Sequence, residues 1–161
     1  MQILQTEGVD VFQRIACATD FSETAEAAWE VACDLAQVHR AELVLVHVFS
    51  ELPVYPEVAV STVLQVWEEQ RRWVEQELDR RVADATTRGL RARASLKTGS
   101  AAEGVVEAAT EIGADLIVVG THGRSGLERV FLGSVAERIV RTAPCAVLTV
   151  KPHPRERARA A

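Results

Sequence analysis

The chain has 161 residues, of which 48% are hydrophobic and 25% are charged, as expected for one ordinary globular domain. A formal net charge of −5 argues against non-specific binding to nucleic acid or to an anionic membrane. No apolar run approaches the ~20 residues of a membrane-spanning helix, and the first residues lack the basic start and apolar run of a secretory signal. We therefore expect a cytoplasmic protein with neither a nucleic-acid nor a membrane partner.

The cysteines and histidines form no recognisable metal-binding or disulfide pattern. Cys17, Cys33 and Cys145 lie in apolar segments and share no CxxC spacing, which is typical of reduced core residues in a cytosolic protein. The histidines are scattered along the chain without local pairing. We expect no disulfide and no zinc site.

The first half of the chain alternates strand and helix patterns. Residues 14–19 form a short, nearly all-apolar run, which favours a strand covered on both faces. Ser22 follows as a candidate helix N-cap, and apolar residues then recur at helical spacing from 25 to 36. Residues 42–49 predict a second, strongly apolar strand, and the proline-containing residues 50–59 predict a loop.

The second half continues this alternation. A long amphipathic helix beginning near residue 60 is predicted to end at Gly89. The alternating polar and apolar residues 91–97 predict a half-exposed strand near a sheet edge. The remaining elements in chain order are a helix with a capping-box sequence at 100–103 that stops at Gly113, a buried strand over 115–119, a loop over 120–133, a helix over 134–142 and a strand over 145–150.

Strands and helices that alternate in this way predict an α/β fold with a single open five-stranded parallel sheet and helices on both faces, similar to a Rossmann fold. The natural strand order is 3-2-1-4-5, in which the chain reverses direction between strands 1 and 4. Ligands of such sheets bind in the crevice at that point, where the loop containing Asp20 would face the loop beginning at Gly120. The predicted domain covers 13–152, with an N-terminal extension over 1–12 and a flexible basic tail over 153–161.

The loop after the fourth strand carries the strongest chemical signal. It holds Gly120, Gly123 and Gly126, and Gly133 and Ser134 follow before the last helix. Glycine has no Cβ to keep a ligand away from backbone N–H groups, and phosphate oxygens bind such cradles beside a helix N-terminus. The segment is not a Walker A loop, since it lacks GxxxxGK[ST], and no GxGxxG follows the first strand. We interpret it as a phosphate-binding loop of another kind.

Each residue of this loop also has a purely structural interpretation. Gly120 and Gly123 could merely make a tight turn, and Ser134 begins a capping-box sequence that could serve only its own helix. His122 could donate to a phosphate or simply fill the turn. The two arginines of the loop could screen phosphate charge or face solvent.

At these positions the chain resembles the universal stress protein family. The ATP-binding members of that family carry the motif G-x2-G-x9-G-[S/T], which corresponds here to Gly120, Gly123, Gly133 and Ser134. The resemblance extends beyond the loop and spans roughly residues 13–152, through the matching segments 19–22, 45–48, 114–119, 132–137 and 143–145.

The resemblance implies a site for an adenine nucleotide, with ATP and Mg²⁺ as the expected ligands. Asp20 and Val48 would lie at the adenine and ribose end, with Thr19 in the same matching segment. Asp20 could instead be an ordinary turn aspartate, and Val48 could be pure core. The other implied binding residues are Gly120, His122 and Gly123 near the ribose and α-phosphate, and Gly133, Ser134 and Val135 at the outer phosphates.

The implied function is that of a nucleotide-dependent regulatory or stress-response protein. Phosphoryl transfer needs a placed nucleophile and cations, and only Asp20 offers itself, as a Mg²⁺ ligand, so we assign no catalytic residue and expect at most slow ATP hydrolysis. Family members often pair their final strands in a homodimer, and Val147, Leu148 and Val150 give this strand an apolar edge. The alternatives are an ATP-dependent hydrolase or transferase and a nucleotide-free dimeric interaction module.

Overall fold

The computed structural model describes residues 11–49, 60–121 and 132–151. Within them, strands and helices alternate along the chain. In order they are β1 (Arg14–Ala18), α1 (Glu23–His39), β2 (Glu42–Phe49), α2 (Val60–Thr87), β3 (Arg91–Thr98), α3 (Ala101–Ile112), β4 (Leu116–Gly120), α4 (Ser134–Thr142) and β5 (Ala146–Val150).

The strands form one parallel five-stranded sheet in the order β3-β2-β1-β4-β5, which confirms the predicted fold class and strand order. The central strand is β1, and its Cys17 pairs with Leu45 of β2 on one side and with Val118 of β4 on the other. Such strands must be apolar on both faces, which explains the nearly uninterrupted apolar runs of β1, β2 and β4.

Two hydrophobic clusters cover the two faces of the sheet. Because successive side chains of a strand point to opposite faces, Ile15 packs into one cluster and Ala16 into the other. The first cluster includes Trp29 of α1 together with the buried residues of α2. The second includes Val105 of α3 and Ile139 of α4. The predicted placement of helices on both faces is therefore confirmed.

The helix ends agree only partly with the sequence patterns. Ser22 caps α1 as predicted, since its Oγ accepts a 3.2 Å hydrogen bond from the Ala25 N–H. Gly113 ends α3 in the left-handed conformation with φ 59°. Ser100 is the N-cap of α3, but it makes no side-chain cap bond, so the capping box there does not form. The predicted helix over 134–142 is confirmed, but Ser134 is its first residue rather than its N-cap, so the alternative in which Ser134 caps its own helix does not hold. The pattern S-x-x-E cannot distinguish these positions, and Gly133 occupies the N-cap.

Several predictions fall on residues outside those ranges. They include most of the loop over 120–133, with His122 and Gly123, the loop over 50–59, most of the N-terminal extension and the basic tail. Cys17 and Cys33 are buried, Cys145 is half-buried, and all three are free thiols. Across residues 11–49, 60–121 and 132–151, no helix has the length and apolar character that a membrane span requires.

Candidate functional site

A cavity of about 310 Å³ opens where the carboxyl ends of β1 and β4 meet the N-terminus of α4. We call it the β1–β4 cavity. This volume lies at the lower end of the range of small-molecule sites. His122 and Gly123 lie outside the described residues, but the structure brings the other predicted site residues together on its lining: Thr19, Asp20, Val48, Gly120, Gly133, Ser134 and Val135.

The turn after β1 forms one wall of the cavity and is built by its own polar side chains. The Thr19 N–H donates to the Val46 carbonyl at 2.9 Å, which fixes the turn to β2. The Thr19 Oγ1 accepts from the Phe21 N–H at 3.0 Å, and Asp20 Oδ1 accepts from the Ser22 N–H at 3.0 Å. Asp20 therefore does serve the turn, as its structural interpretation required, and it lines the cavity as well.

Gly104 of α3 shapes the wall formed by β2, and the sequence patterns did not single it out. A Cβ on Gly104 would lie 2.8 Å from Val48 Cγ2 and 2.9 Å from Val48 Cγ1. Val48 is half-buried and lines the cavity between α3 and the β1 turn. The missing side chain of Gly104 thus lets Val48 sit back against α3 and leaves the cavity open.

His47 is a second lining residue that sequence reasoning missed. Its side chain is buried, and its Nδ1 lies 2.8 Å from the Thr19 carbonyl oxygen. Since a carbonyl oxygen only accepts, Nδ1 carries the hydrogen of this bond. The sequence signal for His47 was a histidine within a mostly apolar strand that ends at the crevice.

The structure gives Gly120 a role that neither sequence interpretation had foreseen. A Cβ at this position would lie 2.7 Å from Thr24 Cγ2, 3.0 Å from the Thr24 carbonyl oxygen and 3.1 Å from its carbonyl carbon. Real Cβ atoms essentially never come as close as the first of these contacts, and the two backbone contacts with α1 are tighter than most. Glycine therefore favours the close packing of β4 against α1, whatever binds in the cavity.

The N-terminus of α4 supplies the polar end of the cavity. The Gly133 N–H already donates to the Thr121 carbonyl at 2.7 Å, and the Gly133 carbonyl accepts from the Glu137 N–H at 2.9 Å. The first N–H groups of a helix have no intrahelical acceptor, and Gly133 has no side chain to cap them. Within the described residues, the N–H groups of Ser134, Val135 and Ala136 therefore remain for a ligand, at the positive end of the helix dipole.

The lining is mostly apolar away from α4. Within the described part of the chain, Asp20 is the one Asp, Glu, Lys or Arg residue of the lining. The same part of the chain contains no group of three or more His, Cys, Asp or Glu side chains that could hold a metal ion. The arrangement suits a ligand with an apolar body and an anionic end.

Comparison with known proteins identifies the family. The model of the universal stress protein family matches residues 12–151. The chain belongs to the universal stress protein family. A universal stress protein of Thermus aquaticus is 38% identical over 142 residues, which cover 88% of this chain and all of the relative.

Solved universal stress protein structures share the fold. The chain is similar to the Methanocaldococcus jannaschii protein MJ0577 with a TM-score of 0.79 and 26% identity, covering 89% of this chain and 99% of that one. It is also similar to a universal stress protein solved in complex with cAMP, with a TM-score of 0.66 and 25% identity, covering 87% of this chain and 97% of that one.

Proposed function

We propose that this universal stress protein binds ATP in the β1–β4 cavity and acts in the cytoplasm as a nucleotide-dependent regulatory protein. The observation that carries the proposal is the pairing, in one cavity, of an apolar wall with the open N–H groups of Ser134 and Val135. The related universal stress protein solved with cAMP supports an adenine nucleotide as the ligand class.

The N-terminus of α4 is the proposed phosphate site. Phosphate oxygens accept hydrogen bonds from free N–H groups at a helix N-terminus and are stabilised by its dipole. Ser134 offers both its N–H and a hydroxyl, and Val135 offers its N–H. The Gly133 N–H is engaged with Thr121, so Gly133 would contribute space rather than a donor. His122 and Gly123 would complete the loop around the ribose and α-phosphate, as the family motif implies.

The opposite wall is the proposed site for adenine and ribose. Val48 and Val105 present apolar surface there. A flat base that packs on this surface is favoured, because apolar surface is removed from water. Asp20 and Thr19 lie at the edge of this surface. A carboxylate accepts strong hydrogen bonds, so Asp20 would accept from a ribose hydroxyl or from the adenine amino group.

The proposed activity is binding with at most slow hydrolysis. Mg²⁺ usually reaches a nucleotide site through one or two carboxylates and the phosphates, and Asp20 is the residue that would meet it here. No lysine or arginine lies among the described lining residues to stabilise a transferring phosphoryl group. Steady-state ATP turnover above about 1 s⁻¹ would place the protein among ordinary enzymes and contradict this part of the proposal.

We also propose that β5 pairs with its copy in a homodimer. It lies at the edge of the sheet, and its Leu148 is 36% exposed. An apolar, unpaired edge strand readily pairs with another chain. Sedimentation velocity should give a dimer for the wild type and a monomer for Leu148→Lys. Leu64→Lys is the matched control, because Leu64 is 42% exposed on α2, and this variant should stay dimeric. A dimeric Leu148→Lys variant would refute the β5 interface.

Calorimetric titration with ATP, with and without Mg²⁺, tests the nucleotide site. Gly133→Val should abolish measurable binding while the fold is kept, because φ −67° and ψ 153° suit any residue and the added side chain, on the lining of the cavity, would take the space proposed for the phosphates. Ser134→Ala should weaken binding by about 1.5–3 kcal/mol if the hydroxyl bonds a phosphate.

Thr142→Val is the matched control for the hydroxyl. Thr142 lies at the far end of α4, where its Oγ1 donates to the Arg138 carbonyl at 2.8 Å. This variant should leave ATP affinity unchanged. Wild-type protein that binds no adenine nucleotide would support the nucleotide-free module instead, and unchanged affinity in Gly133→Val would show that the phosphates lie elsewhere.

A further inference from the structure

Phe21, directly after Asp20, has an unusual backbone conformation. Its φ is 62°, in the left-handed region that bulky residues with a Cβ rarely adopt. This conformation reverses the chain between Thr19 and Ser22, so that both hydrogen bonds of the turn can form. A conformation of this kind persists only where the surroundings hold it in place.

The ring of Phe21 contacts two planar groups. The His47 ring stacks on it, with centroids 4.8 Å apart and an angle of 23° between the planes. The Arg81 guanidinium lies over the same ring with its Cζ 4.8 Å from the centroid. Trp73 contacts the ring edge-on at 5.3 Å. We call the arrangement of Arg81, Phe21 and His47 the Phe21 stack.

The Arg81 end of the stack is fixed by two helices. The Arg81 side chain is only 9% exposed. Its Nε donates to Glu26 of α1 at 2.8 Å, and its Nη1 donates to the Glu77 carboxylate of α2 at 2.6 Å. A guanidinium with several charge-assisted bonds has little freedom, so the ring of Phe21 rests on a rigid surface.

The His47 end of the stack reaches the β1–β4 cavity. His47 is bound to the Thr19 carbonyl through Nδ1 at 2.8 Å and lines the cavity itself. Phe21 and Arg81 are not among the described residues of the lining. The stack therefore supports the Thr19–Asp20 wall, and of its three members His47 alone reaches the described cavity.

We propose that the Phe21 stack positions the Thr19–Asp20 turn for the nucleotide, which makes Phe21, His47 and Arg81 positioning residues of the site. This inference rests on the proposed function, because it concerns the same cavity. It also assigns α2, through Arg81, an influence on a site that α2 does not line.

Phe21→Gly tests the inference most cleanly. Glycine adopts φ 62° without strain, so the turn stays accessible while the ring is lost. We expect calorimetry to show ATP binding about tenfold weaker, because a loss of this size is common when residues in contact are energetically coupled. Phe21→Tyr keeps the ring and should retain most of the wild-type affinity.

Phe12→Gly is the matched control, since Phe12 is also half-buried, packs on the same hydrophobic cluster and makes an edge-on contact with a histidine, His39. We expect it to lose stability in urea much as Phe21→Gly does, but with unchanged ATP affinity.

Arg81→Lys keeps a charge near the carboxylates and removes the planar group. It should also weaken ATP binding. Its effect should nearly disappear in the Phe21→Gly background, because both changes disrupt the same Phe21 stack.

A spectroscopic signature separates positioning from general destabilisation. In ligand-free protein, Phe21→Gly should shift the amide signals of Thr19 and Asp20 and the Nδ1 signal of His47, whereas Phe12→Gly should leave them in place. Wild-type protein that binds no ATP would overturn the proposed function and this inference together. Wild-type binding with unchanged affinity in both Phe21→Gly and Arg81→Lys would overturn this inference alone.

Discussion

Gly120→Ala tests whether a glycine at this position is required for packing. Gly120 does not have a positive φ, so alanine causes no backbone strain, and the added Cβ is the whole perturbation. That Cβ would lie 2.7 Å from Thr24 Cγ2 and 3.0 Å from the Thr24 carbonyl oxygen. The side-chain contact can be relieved by rotation, but the contact with the backbone requires β4 or α1 to move.

The expected cost is that of overpacking a closely packed site, about 1–3 kcal/mol. For a chain of this size, a loss of about 2 kcal/mol lowers Tm by roughly 4–8 °C. Thr24→Ser removes Cγ2 and leaves the backbone. In the Gly120→Ala background it should therefore recover part of the loss, but not all of it.

Urea denaturation followed by circular dichroism measures these stabilities for the wild type, both single variants and the double variant. A non-additive recovery identifies the Thr24 contact as the cause, because residues in contact couple and distant ones do not. An unfolding midpoint of Gly120→Ala equal to that of the wild type would refute this reasoning. Unchanged stability together with lost ATP affinity would instead show that Gly120 is needed for ligand binding.

Three further variants test the cap of α1, a buried thiol and the wall of the cavity. Ser22→Ala removes the N-cap of α1 and should cost about 1 kcal/mol in urea, and no loss would mean that the cap bond is unimportant. Burial raises the pKa of the Cys33 thiol from 9.0 to about 12. The free energy of unfolding should therefore fall from pH 9 towards pH 12, because the thiol ionises first in the unfolded protein. Cys33→Ala should show a smaller fall, and a fall equal to that of the wild type would contradict the raised pKa. Gly104→Ala should push Val48 into the cavity and weaken ATP binding about fivefold, and unchanged calorimetric affinity would show that Val48 has room to move.

The fold could be predicted from sequence because its signals are local. Apolar runs such as 42–49 have the length of buried strands, and glycines such as Gly113 end helices where the pattern stops. The strand order then follows from general rules of connection between parallel strands. The same rules led to the crevice between β1 and β4, because a reversal of strand order leaves an opening there.

The details of the site depend on contacts between residues far apart in the chain, and local patterns do not reveal these. The closeness of Gly120 to Thr24 and of Gly104 to Val48 appears only when the helices are docked on the sheet. The sequence left open whether Ser134 caps α4, because Gly133 and Ser134 both suit the N-cap by residue type. The left-handed conformation of Phe21 was unforeseen, since aromatic residues seldom adopt it.

The most direct test of the proposed nucleotide site is an amide NMR titration of the wild-type protein with ATP and Mg²⁺. Saturable shifts are expected at the N–H groups of Ser134, Val135 and Ala136, and also at Thr19 and Asp20. Inorganic triphosphate should shift the first group alone. Shifts that saturate elsewhere, with the α4 amides unmoved, would contradict the claim that the phosphates bind at this helix N-terminus.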